Sequence, residues 1–313
     1  MTVETILRPY DDDAIADAAE RILGGECVAI PTETVYGLAA DATNGEAVAR
    51  IYETKGRPSF NPLIVHVNDF WEAEEIADFD RTAQILADEF WPGPLTLVLP
   101  QNPDSPVASI VTAGLPTIAI RMPAFPPMRD LIAAVGRPLA APSANASGRI
   151  SPSRAEHVMA TLNGKIGLVI DAGGTVHGLE STIVAVADDH LRLLRPGPID
   201  RAQIEAVTGL ELRDTKDGTI EAPGQLKSHY APAKPLRLDA IDAEDGEFHI
   251  GFGDIRGDAS LSADGDLVEA AALLFDALHH AEQDEDCDSI AVAPIPEEGL
   301  GAAINDRLRR AAA

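Results

Sequence analysis

Lysine is scarce: Lys55, Lys165, Lys216, Lys227 and Lys234 are the five in 313 residues. The other cations are arginines, and the 24 Lys plus Arg face 51 Asp plus Glu, a formal net charge of −27. A surface of that sign repels a phosphate backbone, which argues against tight, charge-driven nucleic-acid binding. The acid is spread along the chain rather than gathered in a tail. That distribution reads as adaptation to high salt, where carboxylates stay hydrated and screening removes their mutual repulsion. An acidic protein of ordinary salt is the blander alternative, and the shortage of lysine weighs against it. With two cysteines, Cys27 and Cys287, far apart, no disulfide framework exists, and a reducing cytoplasm is the expected setting. No apolar run reaches the roughly 18 residues a membrane span needs. Met1–Tyr10 carries acid and proline without an apolar stretch, so no secretory signal is expected.

Several catalytic signatures are missing too. Gly164-Lys165 is followed by Ile166 rather than Ser or Thr, so there is no P-loop. Ser143 lies in Ala-Pro-Ser-Ala-Asn, not in a nucleophile elbow. No H-E-x-x-H or paired C-x-x-C points to zinc. Gly251-Phe252-Gly253 lacks the third glycine of a dinucleotide fingerprint and reads as a tight turn.

What is present is alternation. The length and the 45% hydrophobic content suit two domains. Apolar residues at helical spacing mark 13–23, 46–54, 83–90, 128–135, 153–162 and 201–207. Short apolar runs at 27–31, 63–67, 95–99, 117–121, 139–141, 168–171, 181–186 and 191–194 read as strands. Helices interleaved with so many strands predict an α/β domain with a large mixed sheet over 1–212. From 213 to 235 the chain is polar, rich in Gly and Pro, and aperiodic: a linker. Beyond it, 248–252, 267–279, 289–293 and 300–310 read strand, helix, strand, helix, a small Rossmann-like α/β domain over 236–313.

Polar residues stand just after the strands. Pro31–Gly37 is a turn dense in hydroxyls. Lys55-Gly56-Arg57 sets two cations on one irregular segment, where both can converge on a polyphosphate; solvated loop cations are the plain alternative. Arg121 ends a strand, where open α/β sheets keep their ligand crevices. Ser143 and Asn145 follow another strand, and Gly178–Thr182 and Arg195–Pro198 add donors. Ser151-Pro152 begins a predicted helix, so Ser151 stands either as its cap or as an anion-site hydroxyl. His66, inside Leu-Ile-Val-His-Val, is expected as a satisfied core histidine, Trp91–Pro94 as a turn with an aromatic anchor, and His279 and His280 on a solvated helix face. Spacing alone supports an anion-binding α/β protein without a P-loop.

Pro31–Gly37, Lys55–Pro58, Asn61–His66, Trp91–Pro94, Thr117–Pro123, Ala141–Asn145, Gly178–Thr182 and Arg195–Pro198 occur in an order that resembles the YrdC family. With His229-Tyr230-Ala231-Pro232 in the linker, the chain is similar to its long form, threonylcarbamoyl-adenylate synthases with an extra C-terminal domain. The resemblance implies a twisted sheet whose concave face holds a positively lined groove. It implies the substrates L-threonine, bicarbonate and ATP with Mg²⁺, and no resident metal. Threonylcarbamoyl-AMP would pass to a tRNA-modifying complex. Residue by residue, it gives Lys55 and Arg57 the catalytic and triphosphate role, with Asn61, Thr117, Ser143, Asn145, Ser151, Arg195 and Tyr230 also on ATP. Thr32, His66, Arg121, Ala141 and Ser181 would hold threonine, and the linker around Tyr230 would act as a lid. Gln225 and Ser228 depart from the family pattern. Two other functions fit the same groove: an RNA-binding or ribosome-assembly factor, and a carbamoyl transferase on another acceptor.

Overall fold

The computed structural model describes residues 3–187, 190–215, 221–225 and 229–313. Ser228, and with it parts of the predicted linker, lies outside the described residues. The first unit runs β1 (Ile6–Pro9), α1 (Asp12–Leu23), β2 (Val28–Pro31), β3 (Tyr36–Asp41), α2 (Gly45–Lys55) and β4 (Ile64–His66). It continues through α3 (Phe70–Ile76), α4 (Arg81–Phe90), β5 (Leu95–Pro100), β6 (Thr117–Arg121), α5 (Pro126–Val135) and β7 (Leu139–Ala140). It ends with α6 (Ala155–Leu162), β8 (Leu168–Asp171), β9 (Thr182–Val186), β10 (Leu191–Arg195), α7 (Arg201–Thr208) and β11 (Leu212–Asp214).

Its strands form one 11-stranded sheet in the order β1-β8-β2-β3-β7-β4-β6-β5-β9-β10-β11. Parallel pairs such as β4–β6 and β5–β9 alternate with antiparallel ones such as β5–β6 and β3–β7, so the sheet is mixed, as expected. One face is covered along the sheet except at the edge strand β1: Val65, Leu97, Ile120 and Val184 pack with residues of α2, α3, α4 and α7. The other face is covered only in part. There α1 and α5 pack over β2, β3, β7 and β8. Over β4, β6, β5, β9 and β10 the cluster contains no helical residue, and Ala222 of the linker joins it instead. A sheet face covered by loops rather than a helix is where a groove can form.

The helices begin as local chemistry dictates. Asp11, Asn44, Asp69, Asp80 and Asp200 each accept from first-turn amides. The predicted helix from Ser153 instead starts at Ala155, and Ser151 does not cap it. β3 was not foreseen. Its sequence, Tyr-Gly-Leu-Ala-Ala-Asp, is buried at every position and lacks the β-branched residues and alternation that signal a strand.

The second unit holds β12 (Leu236–Arg237), β13 (Glu247–Gly251), β14 (Ala259–Ser260), α8 (Leu267–Gln283), β15 (Ser289–Val292) and α9 (Leu300–Ala311). Its sheet is parallel, in the order β12-β15-β13-β14. The two units share a core, because Val35, Ile150, Leu179 and Tyr230 pack among Phe275, Leu278, Ile304 and Leu308. His279 is therefore not on a solvated face. It is 3% exposed, stacked on His157 at 3.8 Å between ring centroids, and bonded through Nε2 to the Ser151 carbonyl. His280 is exposed.

Candidate active site

Strand alternation aims the first residues. Ile64, Ala119 and Ile183 pack on the helix-free face. His66, Arg121 and Ser181, each two residues away, turn the same way and line one cavity with Thr32 and Ala141. The turn between β2 and β3 is closed by its own hydroxyls: the Thr34 amide donates to Thr32 Oγ1 at 3.1 Å, and that hydroxyl donates to the Val35 carbonyl at 2.8 Å. Arg121 is held on three sides. Its Nε donates to the Gly93 carbonyl (3.2 Å), Nη1 to Thr34 Oγ1 (2.9 Å), and Nη2 pairs with Glu33 Oε1 (2.6 Å). Burial presses the Glu33 carboxyl up, but the Arg121 charge and the Ala124 amide outweigh it and leave it below the ordinary range.

Cations form the opposite wall. α2 ends on Lys55, and Gly56 takes a left-handed turn (φ 61°) that lets Arg57 double back. Arg57 Nε donates to the Asn61 carbonyl (3.1 Å) and Nη2 to that of Pro62 (2.7 Å); neither bond uses Nη1. Arg195 Nε and Nη2 donate to the Ser181 carbonyl and hydroxyl, both at 3.0 Å. Arg57, Ser143 and Arg195 line the same cavity as His66 and Arg121, and Glu180, Gly224, His229 and Tyr230 close it. Its interior free volume is about 40 Å³.

The remaining expected residues lie elsewhere. Lys55 sits behind the wall, its ammonium donating to the carbonyls of Ser143 and Asn145 at 2.5 Å each and to Asn145 Oδ1 at 3.3 Å. Asn145 in turn holds its own loop through the Arg149 carbonyl at 2.8 Å. Asn61 is buried beside Arg57. Ser151 donates its hydroxyl to Glu180 Oε1. Thr117 shares the face of Arg121 but starts the strand that Arg121 ends, roughly 13 Å away along it, and is not among the cavity residues.

The electrostatics favour an anion. Burial, with the Arg57 charge added, pushes the Lys55 ammonium well below its ordinary value. Burial lowers Arg57 to about 10, still protonated at neutral pH. Burial also takes His66 to about 3 and His229 to about 3, so both imidazoles are neutral. His66 is thus buried but not satisfied: its Nδ1 lacks a hydrogen-bond partner, as do Tyr230 Oη, His229 Nδ1 and both side-chain polar atoms of Asn61. Buried polar atoms without partners are costly, and their concentration around one cavity marks a ligand site. Among the described residues no group of three His, Cys, Asp or Glu could hold a metal.

Sequence reasoning passed over Glu33, Glu180, Gly224 and Arg307. Glu180 stood inside a noted segment without a role. For Arg307, on an arginine-rich terminal helix, nothing in the local pattern distinguishes a buried side chain from a solvated one.

Two family profiles match the chain. One, described as "Telomere recombination" and covering Sua5, YciO and YrdC proteins, matches residues 20–197. The other, described as "Threonylcarbamoyl-AMP synthase, C-terminal domain", matches 199–313. The chain is 43% identical to the threonylcarbamoyl-AMP synthase of Bacillus subtilis, covering 96% of this chain and 94% of that one. It is 41% identical to that of Pyrococcus abyssi, covering 94% and 92%. A solved structure of Pyrococcus abyssi Sua5 complexed with L-threonine matches with a TM-score of 0.88 at 37% identity, covering 100% of this chain and 98% of that one.

Proposed function

The chain belongs to the threonylcarbamoyl-AMP synthase family in its long, two-domain form, and we propose that it joins L-threonine, bicarbonate and ATP into threonylcarbamoyl-AMP and pyrophosphate for tRNA modification. The observation that carries this reading is one cavity in which Arg57, Ser143 and Arg195 face His66, Arg121 and Ser181. The first three suit a triphosphate, aided by Asn61, Ser151, Tyr230 and, from behind, Lys55 and Asn145. Thr32, His66, Arg121, Ala141 and Ser181 suit an amino acid, with Arg121 the partner of its carboxylate. Thr117 does not line this cavity, and its place on ATP rests on the resemblance alone.

The threonine amine takes up bicarbonate as a carbamate with loss of water. A carbamate oxygen then attacks the α-phosphorus in line, and pyrophosphate leaves. Such a displacement needs positioning and charge neutralisation more than an enzyme nucleophile. Arg57 and Arg195 neutralise the phosphates, and Lys55 fixes the loop that offers Ser143. Mg²⁺ arrives on the phosphate oxygens of ATP as part of the substrate. The cavity's carboxylate, Glu180, is engaged by Ser151 and Arg307 and supplies no site for the ion.

A free volume of about 40 Å³ holds a water or two, not ATP, so the strap carrying Gly224, His229 and Tyr230 swings out to admit it. The same reading divides the chain into a catalytic unit (1–212), a strap (213–235) and a C-terminal unit (236–313). It sets the enzyme in the cytoplasm of a high-salt cell, with the product passed to a separate tRNA-modifying complex rather than to tightly held tRNA. The test is pyrophosphate release in molar KCl with threonine, bicarbonate and ATP omitted in turn. Release should need all three; release without threonine favours a carbamoyl transferase and overturns the proposal.

A further inference from the structure

Arg307 lies on the last helix of the chain, outside the catalytic unit, yet it has 0% exposure and ranks among the largest fully buried side chains. A guanidinium so placed is tolerated only when paired and hydrogen-bonded. Its Nε donates to Glu180 Oε2 at 2.9 Å, and Nη1 donates to the Pro196 carbonyl at 2.9 Å and to Asp306 at 3.0 Å. The guanidinium carbon stands 5.3 Å from the centre of the Tyr230 ring, within cation–π range. Two of the contacts beyond α9 are part of the cavity wall, and the third adjoins it. Glu180 and Tyr230 line it, and Pro196 follows Arg195, which lines it too.

Glu180 is an obstacle to the proposed chemistry. It is a buried carboxylate (6% exposed) on the wall where a triphosphate would lie. Left alone it would repel the phosphates and compete for Arg57, Arg195 and Lys55. We infer that Arg307 is a positioning residue of the nucleotide site: it cancels the Glu180 charge in place and fixes Pro196 and Tyr230, so that the C-terminal unit completes the phosphate pocket of the catalytic unit. The inference rests on the reading that this cavity takes ATP. It gives the C-terminal unit a part in the chemistry through one side chain.

The experiment compares pyrophosphate release by the full-length chain, Arg307→Met, Glu180→Gln and the double variant, with ATP and threonine varied separately. Arg307→Met should raise KM for ATP at least about tenfold, as an uncancelled buried charge beside phosphates requires, while KM for threonine changes less than about twofold. Adding Glu180→Gln should recover most of that loss. An Arg307 that is merely structural would lower Tm and the active fraction without a selective change in KM for ATP, and Glu180→Gln would not rescue it; that result overturns the inference. Should Arg307→Met fail to fold, Glu180→Gln alone decides. It removes the carboxylate from the wall and leaves Arg307 with Asp306 as its one carboxylate partner among the described residues, so KM for ATP should fall, and an unchanged or higher value counts against the inference. A wild-type chain that released no pyrophosphate from the complete mixture would overturn the functional reading itself and this inference with it. Arg307→Met with normal KM in an active wild-type background overturns only the inference.

Discussion

The ammonium of Lys55 reaches the backbone carbonyl of Ser143 at 2.5 Å, across 88 residues of sequence. The loop after α2 and the loop after β7 are thereby pinned to each other, and Arg57 and Ser143 meet in one cavity. With Asn145 taking the remaining donors, Lys55 acts on the site through the loop it holds.

Lys55→Ala should therefore do more than delete a charge. It strands two buried carbonyls and frees the Ser143 loop. Turnover should drop roughly 10²-fold or more, the scale for losing one preorganised donor. The measurement is kcat for pyrophosphate release at saturating ATP and threonine. Near-normal turnover would show that the loop holds its place without Lys55.

Gly224 offers a sharper test of the strap. Its φ is +87°, and a Cβ there would come within 2.8 Å of Arg195 Cδ and 2.9 Å of Tyr230 Oη. Gly224→Ala should thus push the strap off the cavity wall and shift Arg195. Activity should fall by about tenfold or more, in line with the effect of small misplacements at reacting sites, while Tm falls by only a few degrees. Unchanged activity would mean that the strap does not sit on the wall during turnover.

How much of this was legible beforehand depended on whether local pattern carried the information. β6 is a short apolar run with three β-branched residues, and it places Arg121 at its end as expected. The Lys55-Gly56-Arg57 turn was readable because glycine at a helix end permits the left-handed step. β3 was not readable, since it lacks the alternation of a strand and part of its setting, the pairing with β7, comes from far away in sequence. The partners of Glu33 and Glu180 were hidden for the same reason: 88 residues separate Glu33 from Arg121, and |i−j| is 127 for Glu180 and Arg307. His279 had the sequence setting of an exposed helical histidine, and only the docking of α8 against α6 buries it.

That docking makes stability depend on pH. Burial lowers His157 to about 4, and burial with the nearby His157 lowers His279 to about 4, against an ordinary value of 6.5. Asp276, 3.6 Å from His157, opposes the shift, and Arg154 reinforces it. Both rings are neutral in the fold and bind protons more readily when unfolded. The stack's contribution is therefore complete above about pH 6.5 and is lost as pH falls toward 4. His66 and His229, at about 3, act in the same direction. Tm should drop by several degrees between about pH 7 and pH 5. His279→Phe, which keeps a ring in the stack and removes the titration, should drop less over that window. Equal slopes for the two proteins would place the pH sensitivity elsewhere.

Salt should act on the whole surface at once. The net charge is −27, and Asp284, Glu285, Asp286 and Asp288 crowd the single connection between α8 and β15, with Glu285, Asp286 and Asp288 exposed. The screening length is about 3 Å in molar salt and about 10 Å at 0.1 M. In dilute buffer, neighbouring carboxylates therefore repel across distances at which molar KCl hides them. The folded state gathers this charge, and the unfolded chain disperses it. Tm followed by circular dichroism should rise continuously from about 0.1 M to molar KCl. Replacing Glu285 and Asp286 with lysine should lower the KCl needed for a given Tm, because it relieves the repulsion at its densest point. A Tm indifferent to KCl throughout would remove the case for high-salt adaptation, leaving the acidic surface without a role in stability.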